Sequence, residues 1–183
     1  MRKSEKQFIL KRLFIGICFL FPIPLSINAQ DYMIGADLSF MKEAEDKGFV
    51  FKENGIAKPG YELFKEHGYN WVRLRLFHSP TTLPNSLEYT IEMAKEAKKQ
   101  GFKVLLDYHY SDTWADPAKQ YIPKAWEGKS QQELEEAVFE YTQTTMIAFR
   151  EAGVFPDVVQ VGNEISNGML WPNGKLPENW DHL

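Results

Sequence analysis

Apolar residues along this chain fall into two rhythms. Four short runs rich in β-branched and aromatic side chains occupy residues 33–38, 71–77, 103–108 and 158–162. Two of them, "VLLDY" and "VVQV", are apolar enough for strands covered on both faces. Between the runs the spacing turns helical. Residues 59–67 form a short helical pattern that stops at Gly68, and residues 87–100 set Leu87, Ile91, Ala94 and Ala97 on one side and stop at Gly101. Ser130 and Glu133 then make a capping box, followed by Leu134, Ala137, Val138, Tyr141 and Ala148 at helical spacing, with Gly153 as the stop.

The joins repeat. "HGYNWVRLRL" and "QGFKVLLDY" each run from a helix through Gly and an aromatic residue into a strand, and "AGVFPDVVQV" is a looser version. Alternating strands and helices predict an α/β fold with a parallel sheet. The polar residues Asp37, Arg75, His109, Asn163 and Glu164 collect at the C-terminal ends of the strands, where β/α barrels build their active sites. A complete (β/α)₈ barrel takes about 250 residues, and only four βα units can be counted here. The predicted fold is therefore the first four units of a (β/α)₈ barrel. A small complete α/β domain is the plainer alternative. A doubly wound sheet would fit the length, but no strand is followed by the Gly-rich loop of its nucleotide-binding versions.

The N-terminus changes the picture of the domains. Five basic residues precede or flank an apolar stretch over residues 13–21, followed by Pro22, Pro24 and "SINAQ". That is the form of a secretory signal peptide with cleavage near Ala29, and the stretch falls short of the roughly 20 residues of a membrane-spanning helix. Residues 1–29 are read as the signal peptide and 30–183 as the N-terminal half of a catalytic barrel domain, secreted or periplasmic, with lipid anchoring at Cys18 disfavoured. Cys18 is the only cysteine, so no disulfide can brace residues 30–183 and their stability must come from the core. Against the formal net charge of −4, residues 30–183 carry 16 basic and 24 acidic residues, a net −8. This argues against nucleic acid or an anionic membrane surface as partner. An aromatic content of 14% suits a neutral partner with flat apolar faces.

Candidate chemistry follows from side-chain alternation. On "VLLDYHY", Asp107 and His109 share a face. The loop beyond mixes Asp112, Trp114, Asp116 and Trp126, and indoles beside carboxylates suit a sugar, whose C–H face stacks while its hydroxyls take hydrogen bonds. Packing is the alternative role for both tryptophans. No second His or Cys stands at ligand spacing from His109, so neither metal nor cofactor is expected. Arg73 and Arg75 share one face of "VRLRLF", which would be costly in an apolar core; for Arg73 a structural ion pair and a functional role are equally open, while Arg75 lies nearer the strand end. In "VVQVGNEISNG" a strand ends on Asn163 and Glu164. A carboxylic acid there could protonate a glycosidic oxygen and then deprotonate water, with Asn163 hydrogen-bonding a sugar hydroxyl.

"GADLSF", "VRLRLF", "LLDYHYSDTWADPAKQYIPKAW" and "VVQVGNEISNGMLWPNG" together resemble glycoside hydrolase family 53, the arabinogalactan endo-β-1,4-galactanases, over nearly all of residues 30–183. The resemblance implies a retaining (β/α)₈ glycosidase acting on β-1,4-galactan. It gives Glu164 the acid/base role after strand 4, and gives Asn163, His109, Asp112, Trp114, Trp126, Arg75 and Asp37 places along the substrate cleft. The family nucleophile follows strand 7, which this sequence does not contain; a family calcium site would also belong to the later half. Glu178 and Asp181 lie in a polar, Pro-containing segment and do not substitute for that nucleophile. The resemblance therefore implies that the chain alone is inactive and that its partner is the missing C-terminal half-barrel. The alternatives are a non-catalytic galactan-binding half-barrel and a related clan enzyme acting on mannan or cellulose.

Overall fold

The computed structural model describes residues 32–182; the expected signal peptide, with Cys18 and Ala29, lies outside them. Four parallel strands form one sheet in the order β1-β4-β5-β6, namely β1 (Gly35–Asp37), β4 (Trp71–Leu76), β5 (Lys103–Tyr108) and β6 (Val158–Val161). β2 (Lys52–Glu53) and β3 (Ile56–Ala57) make a small hairpin, as do β7 (Gly168–Met169) and β8 (Gly174–Lys175). The helices are α1 (Met41–Asp46), α2 (Gly60–Glu66), α3 (Leu87–Lys99) and α4 (Gln131–Glu151).

Register explains how the strands sort their side chains. Trp71 to Leu76 pair one-to-one with Lys103 to Tyr108, and Leu105 to Tyr108 with Val158 to Val161. Val72, Leu74, Leu76, Val104, Leu106 and Tyr108 thus share one face, and all six are at most 1% exposed. Burial of each aliphatic member contributes about 1.5–3 kcal/mol. The helices cover that face. α3 supplies Thr90, Met93, Ala94 and Ala97 at helical spacing, so its buried stripe is turned slightly from the expected one and leaves Leu87 and Ile91 at the margin. α4 supplies Leu134, Ala137, Thr145 and Phe149; Ala148 is less buried, and the hydroxyl of Thr145 instead meets that of Tyr108 at 2.6 Å.

Gly35, Asp37, Arg73, Arg75, Leu105, Asp107, Val158 and Gln160 fall on the other face, which carries no helix among the described residues. A doubly wound sheet would cover both faces. A sheet covered on one side, polar on the other and open at β1 and β6, is the first four-strand arc of a β/α barrel. The fourth unit is represented by its strand and a loop; after β6 the chain forms a 3₁₀ turn (Ile165–Asn167) and the β7–β8 hairpin.

Two features escape the periodicity of the sequence. α1 has only six residues and no side-chain cap. The β2–β3 hairpin turns on Asn54 and Gly55, both at positive φ (50° and 82°), an Asn-Gly turn signal that was present in "ENGI".

Candidate active site

The strand ends carry one connected polar network with Arg73 at its centre. Its Nη1 donates to Asp37 Oδ2, its Nη2 to Asp107 Oδ2 at 2.6 Å and to Asn163 Oδ1 at 2.7 Å, and its Nε to Gln160 Oε1 at 3.2 Å. One side chain on β4 therefore ties together β1, β5, β6 and Asn163, two residues past β6. Asp107 is fully buried, and a buried carboxylate is tolerable only with such a partner. Arg73 makes structural ion pairs with Asp37 and Asp107, and the same guanidinium also hydrogen-bonds Asn163.

Arg75 lies one pleat further along the same face. Its Nη2 sits 2.9 Å from Asp37 Oδ2 and its guanidinium carbon 4.0 Å from the centre of the Trp114 ring. Trp114 is parallel to Phe40, with 7° between the planes and 6.1 Å between centroids. Burial pulls the Arg75 pKa below its ordinary value; Asp37 opposes the pull, the neighbouring cation Arg73 adds to it, and Asp107 and Glu164 oppose it. Arg75 remains a cation, with Glu164 within reach of its field.

His109 is buried beneath Trp114 and edge-on to Phe77. Its Nδ1 accepts the Ala115 N–H at 3.0 Å, which assigns the proton of the neutral ring to Nε2. Nε2 is 3.1 Å from Asp107 Oδ2, off the line of a hydrogen bond, so the contact is electrostatic.

Asn163 is 5% exposed and bonded through both polar atoms of its side chain. Besides accepting from Arg73, it donates from Nδ2 to the Ala115 carbonyl at 2.7 Å, and its own carbonyl accepts from Gln120 Nε2 at 2.8 Å. Glu164 follows it, solvent-exposed, with a left-handed backbone at φ 51° and ψ 45°. Such a backbone is uncommon outside Gly, Asn and Asp and marks a constrained position. The site thus offers one exposed carboxyl next to an amide held by two hydrogen bonds, within the field of the Arg75 cation that stacks on Trp114.

Two expected cleft residues have structural partners of their own. Trp126 is 5% exposed and packs edge-on against His78 and Tyr141, which makes it a packing residue of the loop and leaves no ring face for a sugar. Asp112 accepts from the Ser79 N–H at 2.9 Å and the Lys124 N–H at 2.8 Å, bracing the loops after β4 and β5. Asp37, Arg75, His109, Trp114 and Asn163 join the network or border it. Gln160, Phe40 and Gln120 join the site without having been expected there. A lone polar residue inside "VVQV" was a usable signal for Gln160; nothing in the loop sequence distinguished Gln120. Among the described residues no group of three or more His, Cys, Asp or Glu gathers as a metal site.

Comparison with known proteins agrees with this geometry. The model of glycosyl hydrolase family 53 matches residues 33–183. The arabinogalactan endo-β-1,4-galactanase of Cellvibrio japonicus is 42% identical over 154 residues, covering 81% of this chain and 41% of that protein. A structure from a study of two fungal β-1,4-galactanases superimposes with a TM-score of 0.79 at 39% identity, over 84% of this chain and 46% of that one. The family 53 catalytic domain of Ignisphaera aggregans gives 0.78 at 38% identity, over 88% and 47%. The chain belongs to glycosyl hydrolase family 53, a family of glycosidases on the α/β barrel. It spans less than half the length of each of these relatives.

Proposed function

We propose that this chain supplies the acid/base half of a secreted, retaining endo-β-1,4-galactanase acting on the galactan of pectic arabinogalactan. The observation that carries the reading is the pairing of exposed Glu164 with Asn163, whose amide Arg73 and the Ala115 carbonyl hold in one orientation. In that role Glu164 protonates the leaving glycosidic oxygen, then takes a proton from the water that releases the covalent intermediate. Asn163, Arg75 and Trp114 border the bound sugar. None of this requires a metal or cofactor.

A retaining mechanism needs a second carboxyl group about 5–5.5 Å from the first. Among the described residues Asp37 and Asp107 are committed to Arg73, and Glu178 and Asp181 lie exposed in the segment beyond β8. The nucleophile comes from a C-terminal half-barrel that pairs with the open edges of β1 and β6, and the 183-residue chain alone does not turn over galactan. Support for this partner lies in the apolar edge beside β6. Val161 and Val158 are exposed there, and a cavity of about 470 Å³ is lined by Leu134, Val138, Val161, Ile165, Met169 and Leu170.

The test is to mix the chain with the C-terminal half of the Cellvibrio japonicus galactanase and measure reducing ends released from debranched galactan, mannan and cellulose. Activity on galactan from the mixture, absent from either half and abolished by Glu164→Gln, is expected. Activity of the chain alone, or mannan or cellulose cut in preference to galactan, would overturn the reading. The second reading, a galactan-binding module without catalysis, draws on the commitment of Asp37 and Asp107, the carboxylates on the same sheet face, to Arg73; it predicts that Glu164→Gln leaves galactan binding unchanged and that no mixture becomes active.

A further inference from the structure

The loop between β5 and α4 reaches across to the end of β6 through Gln120, a side chain only 2% exposed. Its Nε2 donates to the carbonyl of Asn163 at 2.8 Å and to that of Asp116 at 3.2 Å. Its own carbonyl accepts the Trp171 N–H at 2.7 Å, which fixes Gln120 from the far side as well. The bond to Asn163 has a specific geometric consequence. The carbonyl of residue 163 and the N–H of residue 164 belong to one rigid peptide plane, so fixing the direction of that carbonyl fixes one side of the dihedral φ of Glu164, the other side being set by the 3₁₀ turn that starts at Ile165. Glu164 is held at φ 51°, a conformation that persists only where its surroundings impose it.

We propose that Gln120 is a positioning residue for Glu164: by holding the Asn163 carbonyl it keeps the 163–164 peptide plane turned, and so aims the Glu164 carboxyl. The Asn163 side chain is held separately, by Arg73 and the Ala115 carbonyl. Without the amide of Gln120, the Asn163 side chain keeps its place while the peptide plane after it rotates and Glu164 relaxes toward a negative φ. Met has the length of Gln and no donor; Glu has its shape and, when ionised, only acceptors facing two carbonyl oxygens. Both remove the constraint.

The backbone part concerns this chain alone; the catalytic part rests on the acid/base role proposed for Glu164. In the full 183-residue chain, the three-bond HN–Hα coupling and the Cβ shift of residue 164 report its φ by NMR. The wild type should show the left-handed signature. Gln120→Met and Gln120→Glu should lose it while the amide and side-chain signals of Asn163 stay near their wild-type positions. In the complemented barrel the same variants should lower kcat by about 100-fold, the scale of a misplaced catalytic group, with little change in KM. A right-handed or extended Glu164 in the wild type overturns the proposal without any variant, which covers the case of variants that fail to fold. So does a left-handed signature that survives both substitutions. If the coupling behaves as expected and the complemented wild type is inert on galactan, positioning by Gln120 stands and the galactanase reading falls.

Discussion

Arg73 Nη2 donates to Asn163 Oδ1 across 2.7 Å, joining the middle of β4 to the residue that precedes Glu164, 90 positions later in the chain. The same nitrogen donates to the buried Asp107 at 2.6 Å. The network that makes a charged strand face tolerable is therefore also the one that orients the amide of the candidate site, and stability and site geometry cannot be changed independently there.

Replacing Arg73 should accordingly cost both. Arg73→Ala leaves Asp107 buried without its cation and should lower unfolding free energy by about 3–5 kcal/mol, read from urea melts. Arg73→Lys keeps a charge but cannot span Asp37, Asp107, Gln160 and Asn163 at once, and should fall between. A loss below about 1 kcal/mol for Arg73→Ala would mean that the folded chain does not depend on this cation to hold Asp107.

The two tryptophans of the loop after β5 should separate. Trp126→Ala empties a packed position against His78 and Tyr141 and should destabilise by about 3–5 kcal/mol. Trp114→Ala removes the stacking on Arg75 and should cost only about 1–2 kcal/mol. The reverse holds for ligand: galactan binding by the complemented barrel, measured by affinity electrophoresis, should weaken for Trp114→Ala far more than for Trp126→Ala under conditions where both are folded.

How far the sequence reached differs between strands and loops. The strand predicted over residues 103–108 matches β5 end to end, because an apolar run bounded by a Gly stop leaves little room for another register. Alternation likewise placed Asp107 and His109 on one face, and Arg73 and Arg75 on another strand's matching face, because a strand repeats every two residues whatever surrounds it. Asp112 and Trp126 lie in a loop, where no period ties sequence to direction. Aromatic and acidic residues there serve packing and backbone bracing as readily as a ligand. Gln120 was invisible for the same reason, since its role depends on a carbonyl 43 residues away.

His78 gives a pH dependence of defined sign. Burial lowers its pKa from the ordinary 6.5, against the raising influence of Asp112. The unfolded chain then binds the proton more readily than the folded one, so stability is full above about pH 6.5 and declines as pH falls through that value toward the lowered folded pKa. Melts at pH 7.5 and 5.5 should show a larger loss for the wild type than for His78→Gln. An equal loss in both would assign the acid sensitivity to another group.

The edge at β6 permits a test of whether a half-barrel docks there. Val161 points to the helix-covered side of the sheet from its last strand, is 58% exposed, and lines the apolar cavity next to α4. An exposed parallel edge beside apolar surface is a pairing site by default. If a fifth strand pairs with β6, Val161 becomes buried, and burial of a valine contributes about 1.5–3 kcal/mol. Val161→Lys should therefore leave the melt of the isolated chain within about 0.5 kcal/mol, as for a surface change. It should weaken association with the C-terminal half by roughly 10- to 100-fold, read by sedimentation or by titrating recovered galactanase activity. The same substitution should reduce self-association of the chain alone, because the charge stays solvated in the monomer and meets a desolvation cost in any face-to-face pairing. Lys at position 161 with undiminished complementation would place the closing strand away from β6 and leave the four-strand arc without its proposed neighbour.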